Sequence, residues 1–196
     1  YNGTIAEKHN INVMAGQEMS QSYWENFAAS NSGYLSNSVT DLIAGATTGA
    51  NINLTQGNQD GYKLYSYFGR ALYNYADRYL LTATLRCDGS NKFAEGHRWG
   101  WFPSAAFAWR ASQENFLKDN KVINNLKLRL GWGATGNQNV QQWAYAAMLK
   151  NYTTSWGVGV MNANNANPEL KWETTYSTNV GFDLSLFNSR IDIVFD

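Results

Sequence analysis

Residues 79–88 read YLLTATLRCD, and the fold turns on how that stretch alternates. Tyr79, Leu81, Ala83 and Leu85 share one parity, while Thr82, Thr84, Arg86 and Asp88 share the other. A period of two places the parities on opposite faces of a β-strand, whereas a helix would repeat its apolar residues every three or four. Working outward, the same contrast recurs. Tyr65, Tyr67, Ala71, Tyr73 and Tyr75 oppose Ser66, Arg70 and Asn74, with Phe68 and Leu72 breaking the pattern. Ala105, Phe107, Trp109 and Ala111 oppose Ser104, Ala106, Arg110 and Ser112. Leu126, Leu128, Leu130, Trp132 and Ala134 oppose Lys127, Arg129 and Thr135. Tyr176, Thr178, Val180, Phe182 and Leu184 oppose Thr175, Ser177, Asn179, Asp183 and Ser185, and Ile191, Ile193 and Phe195 oppose Asp192 and Asp196. His9–Met19 is a weaker match, with Ile11, Val13 and Ala15 on one parity.

The connectors alternate in size. Tight turns fall near Asp77 and Asn188, and a medium one near Asn120–Asn125. Long stretches rich in Asn, Gly and Ser run from about Ser20 to Gly61, Gly89 to Arg98 and Asn137 to Asn167. Short turns at one end and long loops at the other are the plan of an outer-membrane barrel. The spacing therefore predicts an all-β, antiparallel up-and-down meander, a partial transmembrane β-barrel of about seven strands.

Composition supports that reading. Of 196 residues only 15% are charged, against roughly 25% in ordinary soluble domains, while 15% are aromatic and the net charge is zero. A neutral, charge-poor chain lacks the clustered Lys and Arg that phosphate backbones require, so nucleic acid is not an expected partner. The single Cys87 excludes an internal disulfide framework and a zinc site built from several Cys. The polar parity carries Ser, Thr, Asn and Gly with isolated charges, which suits a crowded or water-filled barrel interior. Tyr, Trp and Leu on the other parity suit lipid, with Trp99, Trp101, Trp132, Tyr73, Tyr75 and Tyr79 near strand ends as interfacial girdles. A secreted β-sandwich with the same aromatics in its core is the alternative at this point. The chain opens at Tyr1 with neither a basic leader nor an apolar signal core, so a piece of something longer is expected.

Several motifs mislead. Gly131, Gly133 and Gly136 have the spacing of a dinucleotide-binding loop, but Lys127 and Arg129 interrupt a strand that such a site needs apolar on both faces. Asp88–Asn91 lacks the alternating acids of a calcium loop and reads as turn chemistry. Glu7 with His9 and Glu95 with His97 give two ligands each, too few for a metal, so both histidines are expected to be solvated or in loops. No G-x-S-x-G elbow is present to activate a nucleophile. The sequons at Asn2, Asn53 and Asn151 are those an Asn-rich chain produces by chance. No catalysis, metal or cofactor is expected.

Four blocks in order carry a family resemblance: YFGRALYNYADRYLLTATLRCDGSNKF (67–93), RWGWFPSAAFAWRASQENFL (98–117), LKLRLGWGATGNQN (126–139) and NPELKWETTYSTNVGFDLSLFNSRIDIVFD (167–196). Together they resemble the barrel of SusC/RagA-type TonB-dependent transporters, over most of the chain from about Lys63 onward. The resemblance implies that 1–196 is part of a barrel in the outer membrane of a Bacteroidota bacterium, with plug and remaining strands outside it. It implies import of oligosaccharides or peptides, energised by the TonB complex, with a SusD-like surface lipoprotein as partner and outer-membrane lipid around the wall. A secreted carbohydrate-binding β-sandwich is the competing function.

On the polar parity Arg70, Arg86, Arg110, Lys127, Arg129, Glu173 and Asp183 are the lumen-facing candidates. They are suited either to contact plug and substrate or to brace the wall with opposite charges. Tyr152 and Trp156 in the last long loop are candidates to stack on sugar rings or meet the lipoprotein, or to be ordinary loop aromatics.

Overall fold

The computed structural model describes residues 1–34, 36, 38, 41, 53–118 and 120–196, with backbone alone at 53–58. Among the described residues ten strands follow in order: β1 (Asn2–Ile5), β2 (His9–Ser30), β3 (Asn53–Tyr75), β4 (Tyr79–Ser90), β5 (Trp99–Arg110), β6 (Ile123–Asn137), β7 (Leu149–Thr154), β8 (Gly157–Asn162), β9 (Glu173–Leu186) and β10 (Ile191–Phe195). Eight form one sheet in the order β1-β2-β3-β4-β5-β6-β9-β10, and β7 and β8 form a separate hairpin. Every strand neighbours the one before it in the sheet, so the meander expected from the sequence is the observed topology. The chain divides into two compact units, Tyr1–Ser20 with Leu64–Asp196, and Gln21–Lys63.

All seven strands read from the alternation are present, and β1 adds an eighth. Its NGTI is too short and too polar to show a period. The stretch from Ser20 to Gly61, expected as loop, is a correction: β2 continues to Ser30 and β3 begins at Asn53. Strands of 22 and 23 residues are about twice the roughly 9–11 a bilayer crossing needs. Where both faces of a strand meet the same medium, alternation has no cause, and sequence reading sees only polarity. Within this second unit Gln59 Nε2 donates to Glu25 Oε1 at 2.9 Å, and a Cβ on Gly61 would meet the Ser22 carbonyl.

In the larger unit the short connections show why the strands reverse where they do. Ala76 and Asp77 have φ of 50° and 57°, and Ala6 and Glu7 have 49° and 58°. Two successive left-handed residues match the twist of a hairpin. Asn74 and Asp77 lock the β3–β4 turn by exchanging bonds of 2.6 and 3.0 Å. Successive connections also hold one another. The amides of Ala76, Arg110 and Phe187 donate to the carbonyls of Lys8 (2.7 Å), Arg78 (2.8 Å) and Val122 (2.9 Å). Between β5 and β6 a 3-10 turn at Ala111–Gln113 leads to Glu114. Its carboxylate accepts from Tyr79 Oη (2.7 Å), Arg78 Nη1 (3.2 Å) and Trp109 Nε1 (3.3 Å). The Tyr79 hydrogen bond foremost, then those of Trp109 and the Arg78 charge, holds this carboxyl below its usual pKa against partial desolvation.

Two stacked sheets would seal Phe107, Leu128 and Phe182 together. Instead Phe107 and Leu128 are each 41% exposed, and among the described residues of the larger unit no second layer covers the apolar parity of this sheet. Among the described residues the buried hydrophobics are only Phe93, Phe102, Ala111 and Ala134. Aromatic pairs mark two levels on the apolar face. Tyr75 and Tyr79 (6.3 Å) and Tyr79 and Phe107 (6.5 Å) stack at the short-turn end, and Tyr67 and Trp99 (6.1 Å) and Trp132 and Tyr176 (6.1 Å) toward the long loops. On β4, Tyr79 pairs with Trp109 and Gly89 with Trp99. At about 3.4 Å per residue and a tilt near 45°, the ten steps from Tyr79 to Gly89 span roughly 24 Å, the height of the apolar band of an outer-membrane barrel.

Candidate functional site

The polar face is built row by row from the register. Arg70, Thr84, Ser104, Gly133 and Ser177 form one row across β3, β4, β5, β6 and β9. Leu72, Thr82, Ala106, Gly131 and Asn179 form the next. Small side chains therefore floor the middle of this face. Phe68 and Leu72, which break the alternation of β3, lie on it, opposite Arg86 and Thr82.

Toward the long loops stands the first charged network. Arg86 Nε lies 2.8 and 2.9 Å from the two oxygens of Asp88, and its Nη2 reaches Ser66 Oγ at 2.9 Å and Glu18 Oε2 at 3.3 Å. Its guanidinium sits 5.9 Å from the Phe68 ring centroid. One arginine thus ties β2, β3 and β4. Asp88 and Ser66 are buried, so a carboxylate removed from water is met by a charge-assisted donor. The turn reading of Asp88–Asn91 is corrected here. Asp88, Gly89 and Ser90 are the end of β4, and the bend begins at Asn91.

Beside this network lies a cavity of about 420 Å³ lined by Arg86, Asp88, Thr84, Phe102, Gln138 and Trp172. Phe102 and Trp172 form its aromatic side, with centroids 5.3 Å apart, and Trp172 also packs on the buried Phe93 ring at 5.3 Å. Trp172 Nε1 donates to the Arg98 carbonyl at 2.8 Å, fixing the approach to β9 against the β4–β5 loop. Gly100 and Gly136 make room for the Phe102 ring. A Cβ on Gly100 would lie 2.5 Å from it, and one on Gly136 would fall within it. That is why these glycines occur here. The dinucleotide spacing was incidental, and β6 runs on as strand to Asn137. Among the described residues the buried Gln138 Oε1 has no hydrogen-bond partner.

At the short-turn end Arg129 Nη2 bridges Asp183 Oδ1 (3.0 Å) and Asp196 Oδ1 (2.7 Å), joining β6, β9 and the residue after β10. By register Asp183 faces Lys127 and Arg129 faces Gly181. The missing side chain explains the diagonal pairing, since a Cβ on Gly181 would sit 2.5 Å from Asp196 Oδ1 and 3.2 Å from Arg129 Nη2. Glu173 accepts from Asn137 Nδ2 at 3.0 Å. Arg110 and Lys127 are register neighbours. Among the described residues Arg70, Arg110 and Lys127 have no side-chain partner. The seven polar-face candidates are thus spread along the face, with Arg70 in a middle row and the other six toward its two ends, and do not converge on one site. Sequence reading missed Glu18, Asp88, Phe102, Gln138 and Trp172. An aromatic on the polar parity, as at Phe102, was the available signal.

The loop candidates sit on the β7–β8 hairpin, a correction to the long loop expected over Asn137–Asn167. Tyr152 pairs with Gly159 and is 58% exposed, and Trp156 at the tip is 97% exposed. Leu149, Val158 and Val160 are exposed as well, and Leu149, Thr153 and Asn151 lie opposite Asn162, Val158 and Val160 on one face. His97 in the β4–β5 loop approaches Glu169 at 3.7 Å, and His9 Nδ1 meets Tyr73 Oη at 2.8 Å. Among the described residues no group of three His, Cys, Asp or Glu is placed to hold a metal.

Comparison with known proteins agrees with this geometry. Residues 3–196 match the family model described as TonB dependent receptor-like, beta-barrel. The chain belongs to that family, and its sheet is a segment of a SusC/RagA-type barrel wall in the outer membrane. It is 44% identical over 136 residues to TonB-dependent receptor SusC of Bacteroides thetaiotaomicron, covering 65% of this chain and 14% of that protein. To TonB-dependent receptor P3 of Formosa agariphila it is 34% identical over 197 residues, covering 96% and 19%. The solved RagAB peptide transporter superposes with a TM-score of 0.87 at 25% identity, covering 98% of this chain and 21% of that one. The chain therefore spans about a fifth or less of the relatives it matches.

Proposed function

We propose that this chain is wall of an importer that passes oligosaccharides or peptides across the outer membrane, energised by TonB and served by a SusD-like surface lipoprotein. The observation that carries the reading is one eight-stranded sheet, apolar and uncovered on one face, small and polar with cross-strand ion pairs on the other. The apolar face meets outer-membrane lipid, and the polar face lines the lumen. Arg86, Arg129 and Asp183 brace the wall. Arg70, Arg110 and Lys127 offer cations to the plug or passing solute. Glu173 stands at the loop end beside Asn137. Such a wall binds and guides its solute and forms no covalent bond with it, so the chain is not an enzyme. A peptide transporter among the similar structures supports the peptide half of the substrate class.

The β7–β8 hairpin is the proposed contact for the lipoprotein. A two-stranded sheet alone is marginal in water, and this one exposes apolar residues on both faces and at its tip. The deciding experiment deletes the gene for the full-length protein and follows uptake of labelled oligosaccharide and peptide pools by whole cells. Loss of uptake of one pool, restored by the intact gene and not in a strain lacking TonB, is the expected result. Unchanged uptake of both pools overturns the reading.

A further inference from the structure

The apolar face is not uniformly filled. Toward the long loops it holds a hollow of about 800 Å³ lined by Tyr67, Gly69, Leu85, Cys87, Trp99 and Trp101, a volume within the roughly 300–1,000 Å³ typical of ligand pockets. Its origin is local. Tyr67, Cys87 and Trp101 form one cross-strand row, and Gly69 and Leu85 belong to the next. Gly69 and Cys87 leave the gap open between Leu85 and the aromatic rings. Large rings flank the gap. Trp99 lies across Gly89, where a Cβ would meet its indole at 2.8 Å, and stacks on Tyr67 with centroids 6.1 Å apart. Tyr67, Trp99 and Trp101 remain 52%, 51% and 63% exposed, so each presents a free apolar surface.

We propose that this hollow holds one acyl chain of an outer-leaflet membrane lipid as a bound ligand. The proposal rests on the reading that the apolar face meets lipid. Long loops mark the outer side of such a barrel, and the hollow adjoins the loop ends of β4 and β5, at outer-leaflet depth. Its lining offers dispersion contacts and rigid rings with few polar groups, which suits a methylene chain and not a headgroup. The membrane lipid is the surrounding solvent on this face, so mass action favours it over the single anchor of a lipoprotein.

Filling the hollow tests this. A Cβ on Gly69 would meet only the Met14 carbonyl, at 3.9 Å, so Gly69→Phe projects into the space without a backbone clash. The full-length transporter, delipidated in detergent, is incubated with dipalmitoyl phosphatidylethanolamine, and bound lipids are counted by native mass spectrometry. Wild type is expected to hold one lipid that Gly69→Phe and Cys87→Phe bind about tenfold more weakly. Leu81→Phe, on the same face outside the hollow, is expected to match wild type. Heat-modifiable migration on gels identifies the folded variants to be compared. Equal lipid counts in folded wild type and both filling variants overturn the proposal, as does a hollow that fills only when the lipoprotein is co-purified. A nitroxide on Leu130→Cys in a Cys87→Ser background separates the two levels. Quenching by oxygen and not by a nickel chelate keeps the lipid-facing reading even where the hollow fails, whereas quenching by the chelate removes both.

Discussion

Arg86 Nε donates to both carboxylate oxygens of Asp88, two residues further along the same strand. Residues at i and i+2 share a face, so the pair stands side by side on the polar wall, with Glu18 and Ser66 reached from the same guanidinium. Arg86→Met leaves the buried Asp88 charge unmet. The loss is expected to be about 1–3 kcal/mol, below the cost of breaking a fully buried pair because the Arg86 side chain is 37% exposed. Adding Asp88→Asn is expected to restore part of it. Urea unfolding of the full-length barrel, run as a double-mutant cycle, measures the coupling, and additive losses would refute it.

Glu114 supplies a pH dependence. Its carboxyl is held below the usual value, chiefly by the Tyr79 hydroxyl. A group with a depressed folded pKa contributes stability that is complete above its unfolded value and fades as pH falls through the folded one. Glu114→Gln is therefore expected to lower protection of the Arg78 and Tyr79 amides against hydrogen exchange near neutral pH. The difference should vanish below the carboxylate range. A gap that persists in acid would assign the effect to packing.

Two of the three glycines of β6, Gly131 and Gly136, should behave oppositely. Gly136→Ala puts a methyl into the Phe102 ring, and such overpacking is expected to cost about 1–3 kcal/mol. Gly131→Ala meets only Asn179 Cβ at 4.0 Å, and a change within about 0.5 kcal/mol of wild type is expected. Unfolding midpoints of the two variants decide it.

The orientation of the faces is tested by charge. Leu130 is half exposed, and on a soluble protein Leu130→Arg would be nearly neutral. In a bilayer it is expected to cost about 2–4 kcal/mol near the midplane. Thr82→Arg, on the polar face, is expected to cost much less. Folding into vesicles at graded urea measures both, and equal costs would reverse the assignment.

For the hairpin, Trp156→Ala is expected to leave barrel stability within about 0.5 kcal/mol, since the side chain is almost wholly exposed. Co-purification of the lipoprotein should fall about tenfold or more if Trp156 anchors the contact. Undiminished recovery of the partner would remove the hairpin from the interface.

Strands β4, β5, β6 and β9 were legible because each meets two different media, which writes a period of two into residues such as Leu128, Arg129 and Leu130. The hairpin at Leu149–Asn162 and the far ends of β2 and β3 left no such trace. Val158 and Thr153 are register partners, yet nothing in their own neighbourhood distinguishes them from loop. The network around Arg86 was half visible. The arginine stood out as a charge on a polar parity, but its partners Glu18 and Ser66 lie 68 and 20 residues away.

What the sequence settled by itself was the local geometry, namely strands, their two faces and the family to which the wall belongs. A side chain's polarity against its neighbours two positions away is a local quantity. Tertiary structure alone decided which charges meet. Asp183 faces Lys127 by register but pairs with Arg129, because Gly181 leaves space for that guanidinium to cross to Asp196. Pairing across strands depends on the room left by a third residue, and that room exists only once the sheet has formed.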